Sequence, residues 1–220
     1  MKVVVFGATG MVGQGVVREC LLDPGIDSVV SVGRSRSGVT DPKFHEVVTT
    51  DLLDLSPVSA ELSGVDACFF CLGVTSTGMS EADYRRVTYD ITLAAATAVA
   101  AQNPRATFVY VSGVGADSTG QSRTMWARVR GETENALLAT SLDTYILRPG
   151  YIQPMHGATS RTRLYRVAYR FVRVLYPALR AAFPKHVSTT ERIGRAMIGL
   201  ARDGAGERIL YSGAFNAINP

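Results

Sequence analysis

Three glycines at a fixed spacing carry the first chemistry in this chain: Gly7, Gly10 and Gly13, within Phe6-Gly7-Ala8-Thr9-Gly10-Met11-Val12-Gly13. Such a spacing serves to hold a pyrophosphate. Gly7 permits a tight turn, Gly10 lets a phosphate reach the backbone where a Cβ would intrude, and Gly13 lets a helix pack closely on a strand. A second group follows at Gly33-Arg34-Ser35-Arg36. It falls about 20 residues after the glycines, where a dinucleotide fold places an acid to hold free ribose hydroxyls. No carboxylate stands there; two guanidinium groups bracket a serine. Guanidinium pairs with phosphate, which an acid would repel. Arg34, Ser35 and Arg36 therefore point to NADP(H) in preference to NAD(H), read through the 2′-phosphate. The competing reading stacks one arginine on adenine and leaves the other in water.

These groups need a strand before them and a helix after them. Lys2 to Phe6 is a β-branched apolar run, and Val12, Val16, Val17, Cys20 and Leu21 give one apolar helical face. Val29 to Val32 form a second strand and Phe44 to Val48 a third; Asp51 and Leu52 follow it, where an adenine-edge contact is common. Ser56-Pro57 starts a short helix. Val65 to Leu72 reads as a buried parallel strand, and Leu72 with Gly73 at its end would let a ribose or pyrophosphate pass close. Cys68 and Cys71 on that strand face opposite sides and read as core residues. A helix over 80–102, a strand Thr107 to Val111 closing at Ser112-Gly113, a helix over 123–139 and a strand Leu142 to Leu147 follow. The alternation predicts an α/β, doubly wound, Rossmann-like parallel sheet with a small C-terminal helical cap. Residues 1–150 form the NAD(P)-binding core, and 151–220 supply the cap and closing elements of the same domain. Tyr151 to Ser160 reads as a loop. Residues 161–182 read as an amphipathic helix with one apolar and one basic stripe, a cap over the cleft rather than a membrane anchor. Ser188-Thr189-Thr190-Glu191 opens a helix with capping-box character, and Glu207 to Tyr211 reads as a last strand.

The chain has 220 residues and a net charge of +4. Between Gln121 and Arg192 it carries twelve Arg and Lys against four Asp and Glu, a basic part suited to an anionic cofactor or substrate. No apolar run reaches the roughly eighteen residues of a membrane span, and the first strand begins at once, leaving no room for a signal peptide. Three cysteines suggest no disulfide framework and a reducing, cytoplasmic setting. The three histidines have no ligand spacing, so no metal site is expected; nor is a nucleic-acid module.

Four motifs in order, Gly7-Ala8-Thr9-Gly10-Met11-Val12-Gly13, Cys71-Leu72-Gly73, Val111-Ser112-Gly113 and Leu147-Arg148-Pro149-Gly150, resemble the atypical short-chain dehydrogenases. Within these the chain is most similar to the NAD(P)-dependent epimerase/dehydratase-like proteins, in the Tat-interacting oxidoreductase subgroup. The resemblance implies an extended cofactor across the strand ends and a catalytic Ser, Tyr and Lys. Ser112 matches the serine. The Tyr-x-x-x-Lys place reads Trp126-Ala127-Arg128-Val129-Arg130. An indole does not titrate, whereas Arg130 keeps the charge and can hold ribose hydroxyls. Two functions follow. One is an oxidoreductase for a small carbonyl or hydroxyl compound, a monomer or homodimer, with Ser112, Arg130 and Tyr151 at the catalytic centre; Tyr84 and Tyr89 are weaker proton donors, and His156 could meet substrate. The other is a non-catalytic NADP(H)-binding redox sensor or regulatory binding protein.

Overall fold

The structure, a computed structural model, describes residues 1–159, 176 and 183–219. Its strands are β1 (Lys2–Phe6), β2 (Ser28–Gly33), β3 (Phe44–Val48), β4 (Ala67–Phe70), β5 (Thr107–Val111) and β6 (Asp143–Arg148), then β7 (Tyr151–Gln153), β8 (Val187–Thr189) and β9 (Ile209–Tyr211). The described helices are α1 (Met11–Leu22), α2 (Ser59–Leu62), α3 (Glu81–Arg85), α4 (Ile91–Gln102), α5 (Met125–Leu138), α6 (Thr190–Asp203) and α7 (Ser212–Phe215). Seven strands form one parallel sheet in the order β3-β2-β1-β4-β5-β6-β9. β1 and β4 are neighbours, and the chain winds outward from them in both directions. The order therefore reverses there, opening a crevice at the carboxyl ends of the strands.

Period-2 alternation divides the core. Val3 and Val5 face one side of β1, with Val16, Cys20, Ile193 and Met197 from α1 and α6. Val4 and Phe6 face the other, with Leu62, Ala95, Val99 and Leu137 from α2, α4 and α5. On that side Phe6 and Phe70 are register partners with ring centroids 5.5 Å apart, just beneath the crevice. Cys68 and Cys71 follow the same alternation: Cys68 is fully buried on the second side, while Cys71 packs toward the first.

The structure departs from the sequence reading in three places. The helix expected over 80–102 contains a π turn at Arg86–Asp90 between α3 and α4, a widening found frequently at functional sites. Residues 151–153 are not loop: β7 pairs in parallel with β8, Tyr151 opposite Val187, in a separate two-stranded sheet. Ser188 and Thr189 accordingly belong to a strand, and Thr189 alone caps α6, its Oγ1 accepting from the Arg192 backbone N–H. The third residue of α6 is thus Arg192 rather than a glutamate, so the reciprocal half of a capping box is missing. The expected basic helix over 161–182 lies outside the described residues.

Candidate functional site

The glycine loop links β1 to α1. Gly7 has φ +85°, the left-handed region open to glycine. A Cβ at Gly13 would lie 2.1 Å from the Gly7 carbonyl oxygen, so the helix sits against the turn as closely as backbone allows. Gly10 donates its N–H to the Gly7 carbonyl at 2.9 Å and caps α1 without any side-chain hydrogen bond. The first turn of α1 holds no acidic residue. Its N–H groups and positive dipole end thus face the crevice uncovered by any carboxylate.

A cavity of about 520 Å³ opens there, at the ends of β1, β2, β4 and β5. That volume is within the range of about 300–1,000 Å³ usual for small-molecule sites. Of the residues singled out in the sequence, Gly7, Thr9, Gly10, Met11, Val12, Arg34, Ser35, Leu52, Leu72, Gly73, Ser112 and Arg130 all line it. The loop offers backbone where a pyrophosphate would lie, Arg34 adds charge at the β2 end, and the ends of β4 and β5 supply the far wall. These residues fit a dinucleotide. The π turn also contributes, since Val87 and the following Ile91 reach the wall.

Four expected residues are not on that wall. Gly13 is behind the loop, in the close packing just described. Arg36 is two residues beyond Arg34 and lines a smaller neighbouring cleft of about 320 Å³ with Gln14, Arg18 and His156. Asp51 turns back on its own chain, its Oδ1 accepting from the Leu53 N–H at 2.8 Å. Tyr151 donates its hydroxyl to Gln153 Oε1 at 2.8 Å, and its neighbour Ile152 reaches the cavity instead. Trp126 packs toward Gly115, where a Cβ would come within 3.1 Å of its ring. No tyrosine lines the cavity among the described residues.

Helix α5 positions the polar end. A Cβ at Gly131 would collide with the Asp117 carbonyl, so this glycine lets α5 press against the loop after β5. One turn apart on one face, Arg130 and Glu134 then point to the strand ends. Arg130 donates through Nε to the Tyr84 hydroxyl at 3.0 Å. Burial works against its charge, but the neighbouring Tyr110 and Tyr84 outweigh that and hold its pKa above the ordinary arginine value. It is a permanent cation on the wall. Tyr110 is buried, which pushes its pKa up to about 12.

Glu134 and Arg148 were not singled out as functional in the sequence, although the i+4 spacing of Glu134 from Arg130 and the place of Arg148 at the end of β6 were visible there. Glu134 is fully buried and ion-paired with Arg148, itself 8% exposed. Arg148 Nε lies 3.1 and 3.2 Å from the two carboxylate oxygens, and its Nη2 also donates to Glu134. That bonding raises the Arg148 pKa. Ser112, 6% exposed, donates its hydroxyl to Glu134 Oε1 at 2.5 Å. No cluster of three or more His, Cys, Asp or Glu side chains among the described residues could hold a metal ion. No described helix is long and apolar enough to cross a membrane.

Residues 7–172 match a family of proteins described as NAD(P)H-binding. Protein FMP52-1, mitochondrial, of Scheffersomyces stipitis is 29% identical over 155 residues, 69% of this chain and 67% of its own. The chain thus spans about two thirds of the length of the curated relatives it matches. Among solved structures, the Bordetella bronchiseptica enzyme WbmF in complex with NAD+ superposes with a TM-score of 0.69 at 17% identity, over 98% of this chain and 76% of that one. A short-chain dehydrogenase/reductase family oxidoreductase from Burkholderia thailandensis gives a TM-score of 0.68 at 17% identity, over 99% and 93%. At such identity these likenesses speak for the fold alone. The expected cytoplasmic setting is corrected here: the curated relatives are named mitochondrial proteins, which points away from it. Three unpaired cysteines do not distinguish one compartment from another.

Proposed function

The chain belongs to the NAD(P)H-binding family, and from that premise we propose that it binds NADP(H) across the strand ends and acts on a small carbonyl or hydroxyl compound. The observation that carries this reading is the cavity itself, which joins the glycine loop, Arg34, Gly73, Ser112 and Arg130 around one space. The Gly7–Gly13 loop and the start of α1 hold the pyrophosphate. Arg34 holds the 2′-phosphate, and Arg36 adds long-range attraction from its neighbouring cleft. Both arginines are exposed and neither makes an ion pair among the described residues, so their charge is available to a ligand. Leu52 packs on the adenine. Arg130 takes the ribose hydroxyls of the nicotinamide half. A bound nicotinamide supplies two-electron exchange with the substrate carbon; Ser112 holds the substrate oxygen.

The test is Arg34→Asp. NADPH affinity should fall by about a hundredfold, as expected for replacing a guanidinium–phosphate contact with a repulsion, while NADH affinity changes by about threefold or less. Equal losses for both cofactors would remove the 2′-phosphate assignment.

A second reading, a redox sensor without turnover, is favoured by one observation. Trp126 stands where a tyrosine is expected and packs toward Gly115, and no phenol lines the cavity among the described residues. A sensor of this kind would bind oxidised and reduced cofactor with different affinities and release no product from any carbonyl compound offered with NADPH.

A further inference from the structure

The buried pair behind Ser112 decides which way its hydroxyl can act. Glu134 receives both Nε and Nη2 of Arg148, the fork arrangement that suits an ionised carboxylate. An ionised carboxylate only accepts hydrogen bonds, and a serine carries one hydroxyl proton. At 2.5 Å from Glu134 Oε1, the Ser112 proton is therefore committed to that contact. What Ser112 presents to the cavity is oxygen lone pairs. The Ser112 N–H, held by the Leu147 carbonyl at 2.8 Å, keeps the residue at the end of β5 beside that carboxylate.

We propose that Ser112 is a hydrogen-bond acceptor toward the cavity, set in that role by Glu134 and Arg148, and that the group it takes from a ligand is a donor, an alcohol hydroxyl, rather than a carbonyl oxygen. This rests on the cofactor-site reading above and narrows it to the hydroxyl form of the substrate. Arg130 complements the arrangement: it lines the same cavity, and its Nη2 lies 3.8 Å from where a Cβ on Gly73 would stand, so it brings N–H groups to the space where Ser112 brings lone pairs. A proton leaving the bound hydroxyl passes to Ser112 Oγ as the serine's own hydrogen passes to Glu134. One O–H bond breaks and one forms at Ser112, and the negative charge moves from Glu134 to the bound oxygen. Glu134 is a positioning residue in this arrangement, since it meets the ligand only through Ser112.

Neutron diffraction from deuterated crystals of the full chain reads the proton directly. Deuterium on the line from Ser112 Oγ to Glu134 Oε1 supports the proposal; deuterium aimed into the cavity, or carried on Glu134, overturns it. The result does not depend on bound cofactor, so a failure of the cofactor reading appears separately as a failure to bind NADPH. The ligand class is tested with cyclohexanol on the NADPH complex and cyclohexanone on the NADP+ complex, pairings that cannot turn over, by ligand-observed NMR. Wild type should favour cyclohexanol by about tenfold, the worth of one matched over one mismatched hydrogen bond. In Glu134→Gln the amide can donate to Ser112 while its carbonyl accepts from Arg148, freeing the serine proton; the preference should invert. Should that variant fail to fold, Ser112→Ala leaves the Glu134–Arg148 pair intact and should erase the preference. Equal binding, a ketone preference or binding of neither probe in wild type overturns the ligand class, as does an unchanged preference in the foldable variant.

Discussion

Gly10 and Gly13 are three residues apart in one motif, yet the structure gives them separable duties. An alanine at position 13 would put its Cβ 2.1 Å from the Gly7 carbonyl oxygen and 2.7 Å from its carbon. Both are backbone atoms that cannot rotate away, so β1 and α1 must separate by about 1 Å. Overpacking of this kind costs about 3 kcal/mol or more, against about 1 kcal/mol recovered from the better helix propensity of alanine. The net loss is about 2–3 kcal/mol, a fall in melting temperature of about 4–12 °C for a chain of this size. An alanine at position 10 would meet only the Gly7 oxygen, at 3.2 Å, a contact relieved by a few tenths of an ångström. Its cost to the fold is about 1 kcal/mol or less. Gly10 lines the cavity, however, so the same methyl would occupy the place of a phosphate oxygen and weaken NADPH by about tenfold or more. Differential scanning calorimetry and a cofactor titration on both variants separate the two effects. A Gly13→Ala protein that melts with wild type would overturn the packing role of Gly13, and a Gly10→Ala protein that binds NADPH as tightly as wild type would overturn the phosphate role of Gly10.

Arg148→Met should destabilise the protein by about 3–5 kcal/mol, because it leaves Glu134 charged and buried without its opposite charge. Combining it with Glu134→Leu should recover part of that loss in urea melts, since neither member is then orphaned. The Glu191 carboxyl is held below its usual pKa, chiefly by its hydrogen bond to His156 at 3.1 Å and then by Arg195. A depressed carboxylate stabilises the fold above its unfolded pKa and loses that contribution as pH falls through the lower, folded value. Urea midpoints should therefore show a wild-type advantage over Glu191→Gln at neutral pH that shrinks as the solution is taken below the ordinary glutamate range.

Much of the fold is legible in the sequence because it is written locally. Apolar runs mark each strand from β1 to β6, a striped or alanine-rich stretch marks the longer helices between them, and their alternation gives the parallel sheet. The glycine loop, Arg34, Leu72, Gly73 and Ser112 are legible as a group because each sits at a strand end or helix start, and the sheet brings those ends together; Arg130 joins them from within α5, at the place of the Tyr-x-x-x-Lys lysine. What stayed hidden depends on partners distant in sequence or on side-chain direction in loops. β7 exists only because β8, more than thirty positions on, pairs with it. Asp51 has the right place after β3 but spends its carboxylate on a local turn. Arg36 follows Arg34 by two residues and enters a different cleft. Glu134 and Arg148 each read as ordinary charges; their pairing and burial emerge only when α5 meets β6. Nothing in residue spacing signals the π turn at Arg86–Asp90, which makes one extra residue per turn inside an otherwise regular alanine-rich helix.

The glycine loop and Arg34 are proposed to hold a phosphorylated dinucleotide together. Calorimetric titration of the purified chain with NADPH and, separately, with NADH tests it most directly. One site per chain is expected, with NADPH bound tighter than NADH by about tenfold or more, the worth of a charged contact to the 2′-phosphate. Equal affinity would contradict the role given to Arg34, and absence of binding by either nucleotide would contradict the role given to the loop.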